Sequence, residues 1–276
     1  MYRIVSDSSC DIIKDYNGHF ASVPMLMYTD DYKYLDDGNT PVTELLNVLE
    51  HHNGRSYTAC PGPQDWADAC GDADEVYIVT ITSGLSGAHN SAVSGQAMYL
   101  ESHPNAKVAV FDSFSTGPEM RMAIEKIDEM KAAGASFEEV AAYIPIYLEK
   151  THLLFVLQSL HNLAQNGRVN KVIASAAGIL GISMLGIASP EGTIHQVGKA
   201  RGDKKIVSNL LKFMKDYNFS GGKVAISHVQ NEPLAKMIET AVLKEYPAAS
   251  VSIKPCTGLC SYYAERNGIL LGFECE

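Results

Sequence analysis

Residues 75–82 read Glu-Val-Tyr-Ile-Val-Thr-Ile-Thr, an apolar run with no polar alternation until its end. A half-buried strand alternates apolar and polar side chains. A strand that does not alternate is covered on both faces, as in a parallel sheet flanked by helices. Directly behind it stand Ser83-Gly84-Leu85-Ser86-Gly87 and then a helical stretch to about Glu101. In open α/β sheets ligands bind where the carboxyl ends of strands meet helix N-termini, and the free N–H groups and dipole there favour an anion. Ser86 can cap the helix and also donate its hydroxyl to a carboxylate or phosphate, while Gly84 and Gly87 let backbone approach closely. An ordinary serine cap is the plain alternative.

The rest of the first half follows the same grammar. Residues 2–6 form a strand and 23–27 a second short one. Thr40-Pro41 opens a helix to about His52, and residues 64–70 form another. A strand over 107–112 precedes a helix over 118–133. Alternating strands and helices imply βαβ units and a doubly wound sheet. Two further loops fall at the same edge of that sheet, residues 57–63 and residues 112–117, both rich in hydroxyls and turn formers. Hydroxyls without a paired carboxylate or a histidine suit holding an anion better than splitting a bond. Asp7, closing the first strand, reads as the cap of the next turn, or more remotely as a metal ligand with Asp11.

The second half differs in texture. Residues 153–157 are apolar and 159–165 helical. Residues 182–188 and 193–199 form a hairpin around Ser189-Pro190-Glu191-Gly192. Helix 203–217, strand 223–227, helix 233–245, strand 250–254 and a last strand over 268–274 follow. The change of texture places a domain boundary near residue 150, giving units 1–150 and 151–276.

Composition narrows the function. A net charge of −10 removes the basic surface on which nucleic-acid binding depends. The most apolar run, 172–188, is interrupted by Ser175, Gly178, Gly181, Ser183 and Gly186 and does not suit a membrane span. No signal peptide is visible, and six scattered cysteines in a chain of 276 residues fit reduced thiols in a cytoplasm.

Taken in order, these residues resemble the DegV family along the whole chain. Ile4-Val5-Ser6-Asp7-Ser8 is similar to the family's first strand. Thr58-Ala59-Cys60-Pro61-Gly62-Pro63 resembles its Thr-Ser-Gln-Pro-Ser loop. Ile81-Thr82-Ser83-Gly84-Leu85-Ser86-Gly87 with Asn90-Ser91-Ala92 is close to its Ser-Ser-Gly-Leu-Ser-Gly-Thr signature. Leu153-Leu154-Phe155-Val156-Leu157 with Leu160, Asn162-Leu163 and Gly167-Arg168-Val169 matches the start of its second domain.

The resemblance implies an α/β protein with a Rossmann-like parallel-sheet N-terminal domain, a smaller C-terminal α/β domain and one long-chain fatty acid, such as palmitate, stearate or oleate, between them. It implies a non-enzymatic carrier that presents the carboxylate to a separate ATP-dependent fatty acid kinase, without cofactor or metal. By motif, Thr58 and Ser86 bond the carboxylate, with Ser83 and the Gly87 amide nearby. Arg168 matches an arginine close to the head group, with a salt-bridged surface arginine as the alternative. One departure stands out. The family carries a histidine in a Thr-His-x-Gly-Pro-Gly segment where this chain has Pro255-Cys256-Thr257-Gly258-Leu259-Cys260, so Cys256 occupies the histidine's place. Cys60 stands for the loop glutamine, and Ile182-Ser183-Met184-Leu185 for an Ile-Lys-Pro-Ile segment.

Two rival readings use the same sheet edge. A serine hydrolase acting on acyl esters through Ser86 has Asp112 and His152, His161, His195 or His228 as partners, but position 88 is alanine where a nucleophile elbow needs glycine. A nucleotide or phosphosugar enzyme lacks both the lysine-bearing phosphate loop and G-x-G-x-x-G.

Overall fold

The computed structural model describes residues 1–170 and 181–275. The chain opens with β1 (Tyr2–Asp7), β2 (Phe20–Val23), β3 (Leu26–Tyr28), β4 (Lys33–Leu35), α1 (Val42–His51), β5 (Tyr57–Ala59) and α2 (Pro63–Cys70). It continues with β6 (Glu75–Thr80), α3 (Ala88–Ser102), β7 (Lys107–Asp112), α4 (Gly117–Ala132) and α5 (Phe137–Leu148). Strands β2, β1, β6 and β7 lie in that order in one sheet, every neighbouring pair parallel. Val76, Tyr77, Ile78 and Val79 are all fully buried, so β6 is covered on both faces, as its missing alternation predicts.

Pro24 divides what reads as a single strand over 23–27. Proline has no N–H to donate, and β2 ends at Val23 in the parallel sheet while β3 begins at Leu26 in another. That second sheet is small and antiparallel, in the order β4-β3-β5, and pairs Met27 with Thr58. The segment 57–59, expected as loop, is thus a strand that fixes Thr58. Pro41, not Thr40, occupies the cap position of α1, and no side chain caps that helix. Helix α5, absent from the sequence reading, starts on a reciprocal capping box between Ser136 and Glu139.

The second half runs through β8 (Thr151–Leu157), α6 (His161–Gln165), β9 (Ile182–Ala188), β10 (Ile194–Arg201), a helix over Asp203–Asp216, β11 (Lys223–His228), a helix over Glu232–Glu245, β12 (Ser250–Pro255), a short helix over Gly258–Ala264 and β13 (Ile269–Glu274). Its sheet has the order β10-β9-β8-β13-β11-β12; the last strand inserts between β8 and β11, antiparallel to both, and the sheet is mixed because β11 and β12 pair parallel. Of the apolar run 172–188, residues 182–188 are β9, Gly181 is a turn residue before it, and residues 172–180 lie outside the described residues. Among the described residues no helix is long and apolar enough to cross a membrane.

Two elements tie the sheets together. Helix α4 touches β1 and β6 of the parallel sheet and β8, β11 and β13 of the mixed one. A Cβ on Gly272 of β13 would lie 3.0 Å from the Glu119 amide nitrogen, so glycine lets the strand approach the helix closely. The Gly258–Ala264 helix, near the C-terminus, sends Leu259 and Tyr262 into the core of the first half and Cys260 and Ala264 into a cluster with β8 residues.

Candidate functional site

Strand β1 ends at Asp7, which is fully buried and works as a structural buckle. Its Oδ1 accepts the Ser9 amide at 3.1 Å and the Ser9 hydroxyl, and its Oδ2 accepts the Ile81 amide at 2.8 Å. Burial pushes its carboxyl up to about 6 against these hydrogen bonds. The turn-capping expectation matches this geometry. Among the described residues no cluster of metal-ligating side chains exists.

Beyond this buckle lies a cavity of about 330 Å³. Strand β5 supplies Thr58 and Ala59, and the loops after β5, β6 and β7 supply Cys60, Leu85, Ser86, Gly87, Phe114, Ser115 and Thr116. The mixed sheet supplies Leu153, Phe155, Leu157, Ala188, Ile194 and Leu270, with Leu163, Leu259, Cys260, Tyr263 and Ala264 from the short helices. Most of this wall is hydrocarbon, and the volume is within the range of pockets that enclose small ligands.

Several polar groups of the wall lie close together. The Thr58 hydroxyl lies 2.7 Å from the Tyr263 hydroxyl. The Arg168 guanidinium donates through Nε to the Leu85 carbonyl at 3.2 Å and through Nη1 to the Asn166 carbonyl. Both acceptors are backbone groups, and among the described residues no carboxylate pairs with Arg168. Burial raises the Tyr263 phenol, with the Thr58 bond and the Arg168 charge opposing it. Ser86 Oγ accepts the Ala88 amide at 3.2 Å, but the cap position of α3 is Gly87, with no side-chain cap, and Gly87 faces Cys60. Thr58, Ser86, Gly87 and Arg168 therefore line one cavity.

Two expected residues are elsewhere. Ser83 is exposed and outside the wall, and its amide donates to both Asp112 oxygens at 3.2 Å, which turns the residue outward. Cys256 follows β12, where its amide donates to the His228 carbonyl at 2.9 Å, and its side chain is buried in a cluster with Phe155, Leu157 and Val229. The cavity wall holds Cys60 and Cys260 instead, and Cys260 Sγ donates to the Ser9 carbonyl at 3.2 Å. All six cysteines are free. Tyr263 is the wall residue that motif reading missed.

The comparisons with known proteins agree with this architecture. The DegV family model matches residues 1–272. The chain belongs to the DegV family. A DegV domain-containing protein of Streptococcus pneumoniae is 37% identical over 279 residues, covering 100% of this chain and 99% of that protein. A DegV family protein from Eubacterium eligens, solved loaded with heptadecanoic acid, is 49% identical with a TM-score of 0.98 and full coverage of both chains. The Streptococcus pneumoniae fatty acid kinase B3 protein, solved loaded with linoleic acid, is 37% identical with a TM-score of 0.97, covering 100% of this chain and 99% of that one. The hydrolase reading finds no support in these DegV relatives. Nor does any histidine bond to Ser86 among the described residues, where its Oγ accepts the Ala88 amide.

Proposed function

We propose that this chain binds one long-chain fatty acid in the cavity and presents it to a separate ATP-dependent fatty acid kinase in the cytoplasm, performing no group transfer itself. The carboxylate is assigned to the end formed by Thr58, Ser86, the Gly87 amide and Arg168. The tail is assigned to the wall of Leu153, Phe155, Leu157, Ile194 and Leu270. The observation that carries the reading is a hydrocarbon-lined cavity with a guanidinium, free of carboxylate partners among the described residues, in its wall. Relatives solved with heptadecanoic and linoleic acids support the ligand class, and the kinase name of one relative supports the partner.

The energetics agree with this division of labour. Each buried methylene contributes roughly 0.8 kcal/mol, so a tail of about fourteen contributes on the order of 11 kcal/mol before association costs. Hydrogen bonds to the charged end add about 1.5–3 kcal/mol each. Tail burial sets affinity and the polar end sets orientation. We also propose that the two halves, 1–150 and 151–276, are domains that hold the lipid between them.

The test combines the purified chain, palmitate, ATP and a bacterial fatty acid kinase, and follows acyl-phosphate by hydroxamate trapping. Wild type supports turnover, and the Thr58→Ala/Ser86→Ala double variant loses most of it. Equal turnover by that variant would place the carboxylate elsewhere.

A further inference from the structure

The family pattern provides a histidine where this chain has Cys256, and Cys256 is buried outside the cavity wall. The same segment returns a polar group to the cavity one helix later. Tyr263 lies in the wall on the Gly258–Ala264 helix with its hydroxyl 2.7 Å from Thr58 Oγ1. Each of these hydroxyls carries one proton and two lone pairs. When one donates to the other, a single O–H is left over, and it is available to an acceptor in the cavity.

Both the ring and the helix are held in place. Tyr263 stands edge-on to Tyr262, centroids 4.8 Å apart at 89°. Tyr262 is fully buried, its hydroxyl 2.6 Å from Ser56 Oγ and accepting from Asn166 Nδ2 at 2.9 Å. The Asn166 carbonyl in turn accepts from Arg168. Tyr263 and Arg168 thus share one support, Tyr262 with Asn166, and each brings hydrogen-bond donors to the cavity wall. At the helix start, Asp36 accepts the Gly258 and Leu259 amides at 2.8 and 3.0 Å. A neutral phenol in this position remains a donor, which is the property the missing histidine would have supplied.

We propose that Tyr263 takes the place of the family's histidine: its hydroxyl, paired with Thr58 and beside Arg168, binds the carboxylate of the bound fatty acid. This rests on the fatty acid reading above and identifies a binding residue that reading does not contain.

The experiment titrates the full chain with palmitate and with methyl palmitate, which keeps the tail and lacks the charged head, by calorimetry. Tyr263→Phe retains the ring and its packing against Tyr262. The expected result is a roughly tenfold loss of palmitate affinity with methyl palmitate unchanged, the size of one hydrogen bond to a charged group. Thr58→Val is expected to show the same selectivity, and the double variant less than the sum of the two, since the hydroxyls act as a pair. Undiminished palmitate binding by Tyr263→Phe, or equal loss of both ligands, overturns the assignment. A wild-type chain that binds neither ligand overturns the fatty acid reading instead.

Discussion

The Thr82 hydroxyl donates to the Gly192 carbonyl across 2.8 Å, joining the turn after β6 to the tip of the β9–β10 hairpin. Both residues line the cavity, so this contact clasps the two sheets at its wall. A Cβ on Gly84 would lie 2.7 Å from the Glu191 carbonyl oxygen and 2.9 Å from that of Gly192. Both obstacles are backbone, so the hairpin must move to admit it. Gly84→Ala is expected to speed palmitate release several-fold in stopped-flow displacement while the thermal midpoint changes little. Unchanged release would show that the clasp does not retain the ligand.

Asp36 fixes the helix that carries Tyr263. Its carboxylate takes two backbone amides at the helix start, and loss of such a cap costs about 1–2 kcal/mol. Asp36→Ala is expected to lower the urea midpoint accordingly and to weaken palmitate binding as well. A stability loss with full affinity would separate the cap from the site.

Much of this architecture is legible in the sequence, for reasons that also mark the limit. The β6 strand and its turn can be read because their signals are contiguous: a buried run followed by two glycines and two serines. The hairpin at residues 189–192 reads for the same reason. Tyr263 does not, because its partner Thr58 lies 205 positions away and its short helix has no apolar period. β5 is three residues long, and only pairing with β3 makes it a strand. Ser83 and Ser86 are equivalent as motif letters. The Asp112 carboxylate, at the end of a different strand, is what turns Ser83 outward.

Phe114 sits at a partition. It lines the cavity and also an adjoining cleft of about 690 Å³, with Leu153 and Ala188 common to both, and it holds a left-handed φ of 52°. Phe114→Gly keeps that backbone conformation at lower strain and removes the ring. The variant is expected to gain affinity for arachidic acid relative to palmitic acid in competition binding. An unchanged preference would place the chain-length limit elsewhere.

Glu119, buried in the first turn of α4, lines the same cleft and accepts the Thr151 hydroxyl at 2.7 Å. Burial pushes its carboxyl up to about 7. A raised acid contributes stability that is complete below the ordinary carboxyl range and is lost as pH rises through about 7. Glu119→Gln keeps an acceptor for Thr151 and removes the buried charge. At about pH 8 it is expected to be more stable than wild type by on the order of 2–3 kcal/mol, a difference that vanishes near about pH 4 in urea unfolding. A constant difference across that range would contradict the assignment.

The most direct measurement is denaturing mass spectrometry of an organic extract of the freshly purified protein. The account predicts close to one equivalent of long-chain fatty acid per chain, displaced by added palmitate. An extract without fatty acid, from a protein that also fails to take up palmitate or oleate, would contradict it.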